Sequence, residues 1–299
     1  YEQDITLVNI MIKISNFLRK FGIDLRAKLF RQILAAVGGG LNLCVSGAAA
    51  IDAKISRFFD DIGIDFFAGY GLTETSPVVA VCNYHLNIFG SVGNPTAGIE
   101  VAIDTDSNEP GAIGEILTRS ESVMLGYYKN SEATAEVMTA DGWFRTGDIG
   151  FLDKKGCIHI TGRLKSMIVL ANGKKAFPEE IEFLVSLIPG VKESIVWGDV
   201  SARDGGVDIC AKLVLSPDDL GADVLSDEKA LFKLISDQIK HVNQQMPAYK
   251  AIKYIMFTNE DLIKTTTLKV KRPAEQEKTY KRLTELGLTP KTANGKNID

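Results

Sequence analysis

The sequence contains no run of about 18 apolar residues, so it predicts no membrane-spanning helix. Basic residues are not in excess: 34 Lys and Arg stand against 38 Asp and Glu, which argues against the basic surface that nucleic-acid binding requires. The four cysteines are scattered, without a CxxC pair, and are typical of buried thiols in a reducing compartment. These absences favour a cytoplasmic protein whose partners do not include nucleic acid.

The amino-terminal end lacks both an initiator Met and a basic-then-apolar signal pattern. We therefore expect an internal start and a truncated chain. From about residue 5 to residue 37, apolar residues recur at helical spacing while Lys and Arg occupy the polar face. Two packed surface helices are the first interpretation of this stretch, and peripheral contact with a membrane surface is the alternative.

The rest of the chain predicts a mixed architecture. With 299 residues, 45% of them hydrophobic, the chain is long enough for more than one core. Apolar segments at 41–45 and 64–67, separated by a helix-like stretch, indicate parallel strands joined by a crossover helix. Residues 91–160 alternate short apolar pieces with turn signals, which is typical of a small antiparallel, barrel-like subdomain.

From residue 162 onward the pattern is that of a separate α+β module. Its expected elements are a helix opened by Pro178, strands at 194–197 and 209–215 around a turn at 203–206, a long amphipathic helix at about 227–246 and a strand at 254–257. We expect an α/β plus α+β fold. Residues 1–163 would form a partial large domain, and residues 164–299 a compact α+β lid domain with a tail.

A glycine-rich string, AGYGLTETSP, directly follows the second apolar strand. Gly69 and Gly71 permit a tight turn and a close approach of the backbone to a ligand. Tyr70 offers a face on which a base can stack, Thr73 a hydroxyl for a phosphoryl oxygen, and Glu74 a hard carboxylate suited to Mg²⁺. A glycine-rich turn alone is more often purely structural, but the full string is far more specific.

This string resembles the Y-G-x-T-E motif of the adenylate-forming superfamily, which includes acyl-CoA synthetases, luciferases and peptide-synthetase adenylation domains. Four further signatures stand in the family's order: S-G-x-A/G-P at 45–49, with Ala50 where proline is usual; G-E-(I/L) and G-Y-x-N within 114–130; Y-R-T-G-D at 144–148; and G-R-x-K, G and P-x-E-I-E within 162–182. The resemblance covers about residues 41–272. The sequence of residues 123–130 is most similar to that of long-chain fatty acyl-CoA synthetases.

The resemblance implies that a fatty acid carboxylate attacks the α-phosphate of ATP to give acyl-AMP and pyrophosphate. The acyl group then passes to the thiol of coenzyme A, and AMP leaves. Negative charge develops on the phosphoryl oxygens, so the site needs cations and donors. ATP, Mg²⁺ and coenzyme A are the implied ligands. Thr73 would contact the α-phosphate, Glu74 would hold Mg²⁺, and Asp148 would accept both ribose hydroxyls. The implied nucleotide contacts are Gly47, Ala48, Ala49, Gly69, Tyr70, Gly71, Thr73, Asp148 and Arg163.

The string LIKTTTLKVKR at 262–272 resembles the family's P-K-T-x-x-G-K, whose last lysine bridges the acid and the α-phosphate. This register assigns the catalytic role to Lys269, and Lys271 is the alternative. Ile263 stands where proline is usual, and Leu268 where glycine is usual. The turn geometry could therefore differ, and a solvated basic segment without a catalytic role would have the same composition.

Lys165 occupies the family's hinge position, about which the lid domain rotates between adenylation and thioester formation. After rotation the loop 171–174 would face the large domain, with Gly173 and Lys174 in the coenzyme A loop. Without the alignment, Lys165 would be only an exposed charge.

The Ser/Thr/Gly-rich run ending in Pro-Lys-Gly, which in this family grips the β- and γ-phosphates, is absent from residues 1–70. We therefore predict that this chain does not adenylate alone, although it retains contacts for weak nucleotide binding. The alternatives are another adenylating enzyme, such as an aryl-CoA ligase or a carrier-protein-loading domain, and a non-catalytic nucleotide-binding module. An unrelated nucleotide-binding domain is disfavoured because GxGxxG and Walker loops are lacking. The sequence predicts neither acyl chain length nor oligomeric state.

Overall fold

The fold is taken from a computed structural model of the protein, which describes residues 2–47, 51–107, 109, 111–200, 205–220, 227–266 and 268–299. The chain divides into two compact units, Tyr1–Ile160 and Thr161–Asp299. The assignment of residues 1–163 to a partial large domain and of 164–299 to a lid domain stays a prediction.

Helices accompany the sheets in both units. The described helices of the first unit are α1 (Glu2–Arg19), α2 (Arg26–Leu29), α3 (Arg31–Ala36), α4 (Ala53–Ile62) and α5 (Ser131–Val137). Those of the second unit are α6 (Pro178–Ser186), α7 (Pro217–Leu220), α8 (Glu228–Gln244) and α9 (Arg272–Glu285). None of the helices in the described residues is long and apolar enough to cross a lipid bilayer.

The strands form four sheets in the described part of the chain. The first sheet has the order β1 (Leu43–Ser46), β2 (Asp65–Gly71), β3 (Val78–Val81) and β4 (Asn94–Pro95). The second has the order β5 (Glu100–Asp104), β6 (Gly114–Arg119), β7 (Phe144–Leu152) and β8 (Ile158–Arg163). A small pair consists of β9 (Ile168–Val169) and β10 (Lys175–Ala176), and the last sheet of β11 (Val191–Val200), β12 (Val207–Leu215) and β13 (Ile252–Thr258).

The predicted parallel pair with its crossover helix is confirmed in β1, α4 and β2. Leu43 lies opposite Asp65 in the parallel register. Helix α4 begins after Asp52, whose carboxylate accepts the N–H of Lys54, and it ends at Gly63 with φ +104. An Asp N-cap and a left-handed glycine satisfy the free backbone groups at the two helix ends. The sequence between the strands therefore specifies both limits of the helix.

The segment predicted to be barrel-like contains short antiparallel strands, as expected, but they form a meander in the order β5-β6-β7-β8. A sheet closes around a filled interior in barrels of about eight strands, so four short strands are too few for closure. The mixed α/β class with antiparallel strands is confirmed, and the described strands correct the barrel-like part of the expectation.

The second unit is built around β12, which pairs antiparallel with β11 and parallel with β13. One face of this sheet packs on α6 and α8, for example through Val185 and Ile235. The other face packs on Leu283 of α9 and on Ile298 near the carboxyl end. Each fully buried side chain of this kind contributes about 1.5–3 kcal/mol. The predicted α+β module is confirmed, while residues 203–204 of its predicted turn lie outside the described residues.

Candidate functional site

The candidate site of the first unit begins where β2 ends. The N–H of Leu72 donates to the carbonyl oxygen of Pro77 at 2.9 Å, and the Thr75 hydroxyl lies 2.7 Å from the same oxygen. These contacts close a short 3₁₀ turn, Thr73–Thr75, ahead of β3. Thr75 is buried and Thr73 is exposed, so the two threonines differ in what they can do. Thr75 holds the turn, whereas the exposed Thr73 is accessible to a ligand, and its phosphate contact stays a prediction.

Gly71 is required by the turn itself. A Cβ added at this position would lie 1.7 Å from the carbonyl oxygen of Pro77, and the register between β2 and β3 shifts after Tyr70. The close approach expected at Gly71 is therefore an approach of the chain's own backbone. At Gly69 an added Cβ would make only an ordinary contact, with its nearest neighbour 3.5 Å away.

Tyr70 and Asp148 meet although 78 positions separate them. The Tyr70 hydroxyl donates to Asp148 Oδ2 at 2.7 Å. Tyr70 is 9% exposed and Asp148 is 4% exposed. A buried carboxylate requires hydrogen-bond donors to offset its lost hydration. The structure thus brings together two predicted nucleotide contacts, one from β2 and one from β7.

An irregular stretch of β7 orients the Asp148 side chain. Gly147 has φ +70, and its N–H donates to Glu115 Oε1 at 3.0 Å. Next to it, the Thr146 hydroxyl donates to the carbonyl oxygen of Ile116 at 2.7 Å and accepts the Asp148 N–H at 3.0 Å. A residue with a Cβ would be strained at the φ of Gly147. The glycine of the R-T-G-D motif therefore has a backbone reason, which is to turn the following aspartate.

Glu115 is a supporting residue to which the sequence assigned no role. It is buried, and its Oε2 lies 2.6 Å from a guanidinium nitrogen of Arg145. Arg145 also donates to Asp104 Oδ2 at 2.6 Å, and this hydrogen bond, with the charge of Glu115, raises the pKa of the guanidinium. Glu115 thus joins a charged network to the Gly147 backbone. The G-E-I motif signalled this residue without revealing its function.

Glu74 has a partner that sequence reasoning also missed. The Tyr127 hydroxyl donates to Glu74 Oε1 at 3.0 Å, and the Met124 N–H donates to the Glu74 carbonyl oxygen at 2.8 Å. Burial, followed by the hydrogen bond to Glu74, raises the pKa of Tyr127. The phenol therefore stays protonated and orients the carboxylate. The motif segment that contains Tyr127 is tied to the turn that carries Glu74.

The Glu74 carboxylate fits a magnesium–phosphate complex. Within the described ranges, no group of three His, Cys, Asp or Glu side chains could hold a metal by itself. Mg²⁺ commonly binds one or two carboxylates, with substrate phosphates and waters completing its coordination. Glu74, oriented by Tyr127, is a donor of this kind. The residues present therefore fit Mg²⁺ brought with a nucleotide, and not an all-protein metal site.

The predicted adenine contacts are only partly described. Ala48 and Ala49 lie outside the described residues. Gly47 is exposed and directly follows Ser46, which lies opposite Ala68 in the parallel register of β1 and β2. The carboxyl ends of parallel strands meet at one sheet edge, which is where ligands bind in open α/β sheets. Gly47 and the glycine-rich string thus share that edge.

The predicted residues near the start of the second unit lie at its surface. Arg163 is exposed at the end of β8, and Lys165 is exposed in the short 3₁₀ turn that follows. Gly173 has φ +75 in an exposed turn. Beside it, Lys174 Nζ lies 4.8 Å from the centre of the Tyr249 ring, a cation–π contact within this unit. The hinge and coenzyme A roles of these residues stay predictions.

Lys269 lies exposed on a small hairpin that begins with the bridge between Lys264 and Val270. The Thr265 N–H donates to the Lys269 carbonyl oxygen at 2.8 Å, and the Lys269 N–H donates to Thr265 Oγ1 at 3.1 Å. Leu268 has φ +61, a conformation that glycine adopts freely. The hairpin therefore has glycine-type turn geometry although the residue is leucine. The catalytic role of Lys269 stays a prediction.

Comparison with known proteins identifies the chain's relatives. Residues 6–128 match the family of AMP-binding enzymes, and residues 165–285 match the AMP-binding enzyme C-terminal domain. The long-chain-fatty-acid–CoA ligase FadD15 of Mycobacterium bovis is 33% identical over 282 residues, which are 86% of this chain and 45% of that protein. A feruloyl-CoA synthase of an Amycolatopsis species is 34% identical over 224 residues, 73% of this chain and 43% of the relative.

Solved structures show the same relationship. The anthranilate CoA ligase AuaEII in complex with anthranoyl-AMP aligns with a TM-score of 0.67 and 28% identity, over 80% of this chain and 45% of that one. The ATP-bound RpMatB-BxBclM chimera B1 also aligns with a TM-score of 0.67, at 27% identity over 86% of this chain and 52% of the other.

The two domain matches and the aligned structures identify the class as AMP-binding enzymes. The chain belongs to the AMP-binding, adenylate-forming family of acid–CoA ligases. It spans less than half the length of the curated relatives described above.

Proposed function

We propose that the protein serves an AMP-forming ligase reaction that activates a fatty acid with ATP and transfers the acyl group to coenzyme A. The observation that carries this proposal is the buried pair of Tyr70 and Asp148, with the hydroxyl 2.7 Å from the carboxylate. It stands at the end of β2, next to the turn that exposes Thr73. In this proposal the pair would bind the nucleoside, and the Thr73 hydroxyl beside it would donate a hydrogen bond to a phosphate oxygen.

The chemistry explains what these side chains would contribute. A carboxylic acid is a poor electrophile, and joining it to AMP provides a good leaving group. Asp148 would accept the two ribose hydroxyls, because one carboxylate can accept two charge-assisted hydrogen bonds. Thr73 would donate to an α-phosphoryl oxygen. Lys269 would supply a mobile positive charge where negative charge accumulates in the transition state.

Glu74 would hold Mg²⁺, with Tyr127 fixing its orientation. When bound, Mg²⁺ neutralises charge on phosphoryl oxygens. In the second unit, Lys165 would be the hinge, and Gly173 with Lys174 would line the coenzyme A arm. Exposure of Lys165, Gly173 and Lys174 is compatible with roles that require access to substrate.

The test of the nucleotide site is AMP binding by the 299-residue chain, measured by isothermal titration. Asp148→Asn keeps the size of the side chain but removes its charge, and we expect at least a tenfold loss of affinity, since a hydrogen bond to a charged group contributes about 1.5–3 kcal/mol. Asp106→Asn makes the same chemical change at an exposed position and should leave affinity unchanged. Equal affinities for wild type and Asp148→Asn would contradict the assignment.

The fatty acid is proposed because the FadD15 relative covers more of this chain than the feruloyl-CoA synthase does. Similarity to the feruloyl enzyme makes an aryl acid the second candidate. A thioester-forming assay of the complete gene product with medium-chain and long-chain fatty acids and with ferulate distinguishes the two. Turnover of ferulate alone would exclude the fatty acid.

We also propose that residues 1–299 do not form acyl-AMP without a phosphate-gripping segment, since residues 1–70 contain no Ser/Thr/Gly-rich run ending in Pro-Lys-Gly. The purified chain should therefore show no acid-dependent exchange of pyrophosphate into ATP. Exchange that is abolished by Lys269→Ala would overturn this proposal and would establish the catalytic lysine at the same time.

A further inference from the structure

A buried ion pair lies beneath the Lys269 hairpin. Lys212 of β12 and Glu275 of α9 form a salt bridge, with side chains that are 4% and 0% exposed. Lys212 Nζ also donates to Thr279 Oγ1 at 3.2 Å, one helical turn beyond Glu275. The pair connects the central strand of the second unit to the helix that directly follows the hairpin.

The second carboxylate oxygen of Glu275 reaches the start of the hairpin. Glu275 Oε2 accepts the N–H of Ile263 at 2.7 Å. Ile263 immediately precedes Lys264, and its carbonyl oxygen accepts the Lys271 N–H at 2.8 Å. The Glu275 N–H donates to the Lys271 carbonyl oxygen at 3.0 Å. Both ends of the hairpin are therefore bound to one another and to Glu275.

Stability alone is a poor explanation for this arrangement. Removing two charges from water is costly, and buried ion pairs can often be replaced by apolar residues without loss of stability. A buried ionic group is retained in some proteins because it specifies one geometry. Glu275 accepts a backbone N–H with one oxygen and a buried ammonium with the other, which fixes the direction from which the chain enters the hairpin.

We propose that Glu275 is a positioning residue for Lys269. It holds the Ile263 peptide, and through it the base of the hairpin, in a single orientation on the second unit. The contact requires an N–H at residue 263, which isoleucine has and a proline would lack. The catalytic meaning of this anchor rests on the proposed function of Lys269, whereas the anchor itself does not.

Two double variants of the 299-residue chain separate positioning from stability. Lys212→Met with Glu275→Gln removes both charges but keeps an acceptor for the Ile263 N–H. Lys212→Met with Glu275→Leu removes both charges and the acceptor. Amide hydrogen exchange is measured by NMR at Thr265, Leu268 and Lys271, and at β12 as an internal reference. We expect at least tenfold faster exchange of the hairpin amides in the Leu variant than in the Gln variant, with equal protection of β12.

Equal exchange of the hairpin amides in the two double variants would overturn the proposal, as would faster exchange spread evenly over β12 and α9. If the Leu variant does not fold, Glu275→Asp decides the question. It keeps the charge but shortens the side chain, so it should loosen the hairpin while Glu277→Gln, an exposed change on the same helix, should not. Failure of the chain to bind AMP would count against the proposed function and would leave this comparison unaffected.

Discussion

Leu268 adopts φ +61, and the residue is 79% exposed. A non-glycine residue in this region carries about 1–2 kcal/mol of strain, and an exposed side chain offers little burial to offset it. Leu268→Gly should therefore raise the free energy of unfolding by about 0.5–1 kcal/mol, the larger conformational entropy of the unfolded glycine opposing part of the gain. Urea denaturation measures the change.

The control for this prediction is Leu187→Gly. Leu187 is likewise exposed, at 58%, but has an ordinary φ of −83. Glycine relieves no strain there and should lower the free energy of unfolding by about 0.5–1 kcal/mol. Changes of the same sign at the two positions would show that the Leu268 backbone is not strained.

The hydrogen bond from Tyr127 to Glu74 predicts a pH dependence at the candidate magnesium carboxylate. Because the pKa of the phenol is raised, the protonated donor persists through its ordinary titration range, and the bond is lost only as pH rises through the higher value. Glu74→Gln should lower the pKa of Tyr127, but burial should keep it above the ordinary value. A pH titration of tyrosine Cζ by NMR measures both, and an unchanged pKa would exclude the contact.

At the scale of elements, α6 joins the start of the second unit to its last helix. The Ser166 hydroxyl donates to Glu179 at 2.7 Å, next to the predicted hinge. Three positions along α6, Glu182 accepts the Val196 N–H at 2.7 Å and an Arg272 guanidinium N–H at 2.9 Å. Burial raises the pKa of Glu182, and the charge of Arg272 opposes that effect. The short helix α6 therefore fixes both the turn Leu164–Ser166, which contains the predicted hinge residue, and the residue that begins α9.

Arg272 should be sensitive to a change that preserves its charge. Arg272→Lys cannot reproduce a planar fork that reaches both Glu182 oxygens, so the free energy of unfolding should fall by about 1–2 kcal/mol. Arg272→Met leaves the Glu182 carboxylate, whose side chain is 18% exposed, without its cationic partner and should cost about 3 kcal/mol, the lower end of the range for a buried pair. Urea denaturation measures both losses. Lys281→Met, an exposed change on the same helix, should cost less than 0.5 kcal/mol, and an equal loss at Lys281 would refute the argument.

Hydrophobic periodicity predicted some elements well and others not at all. The spacing of Leu231, Ile235 and Ile239 indicates α8 because its apolar stripe is also its buried face. In α9 the buried positions are Glu275 and Thr279, followed by Leu283. From the sequence alone, a helix face that carries a carboxylate and a hydroxyl is predicted to be exposed to solvent, whereas here it is buried. Glu275 can be buried there because it pairs with Lys212, which lies 63 positions away in the sequence.

In the candidate site, too, some features were predicted from the sequence and others were not. The motifs predicted which residues stand near β2 and β7, since the family resemblance gives their order. They did not predict the support that Glu115 gives to Gly147 or the hydrogen bond from Tyr127 to Glu74. These contacts join segments distant in sequence, and they arise only when the fold brings the segments together. The barrel-like expectation erred for a related reason, because closure depends on strand pairing and not on strand pattern.

At the scale of the whole molecule, each unit has a core of its own. The second unit covers both faces of its sheet, with α6 and α8 on one side and α9 with the carboxyl-terminal segment on the other. Among the described residues, the first unit leaves more large apolar residues at its surface than the second does, including Leu7, Ile14 and Phe17 of α1 and Val45 of β1. Exposed apolar groups of this size forgo about 1.5–3 kcal/mol each of burial. The two units should therefore differ in stability.

Residues 161–299 should fold without residues 1–160, because the residues of the two hydrophobic clusters on the β11-β12-β13 sheet, as far as the structure describes them, all belong to the second unit. We expect the isolated unit to unfold cooperatively, with a free energy on the order of 5–10 kcal/mol. In the full chain, the unfolding of the second unit should be the later of two thermal transitions.

Differential scanning calorimetry of the isolated unit and of the 299-residue chain tests this prediction, with Ile235→Ala as a variant that marks the second unit. Ile235→Ala should lower only the later transition, by an amount equivalent to about 2–5 kcal/mol. An isolated unit without a cooperative transition, or a marker that shifts both transitions equally, would show that the second unit depends on the first for its stability.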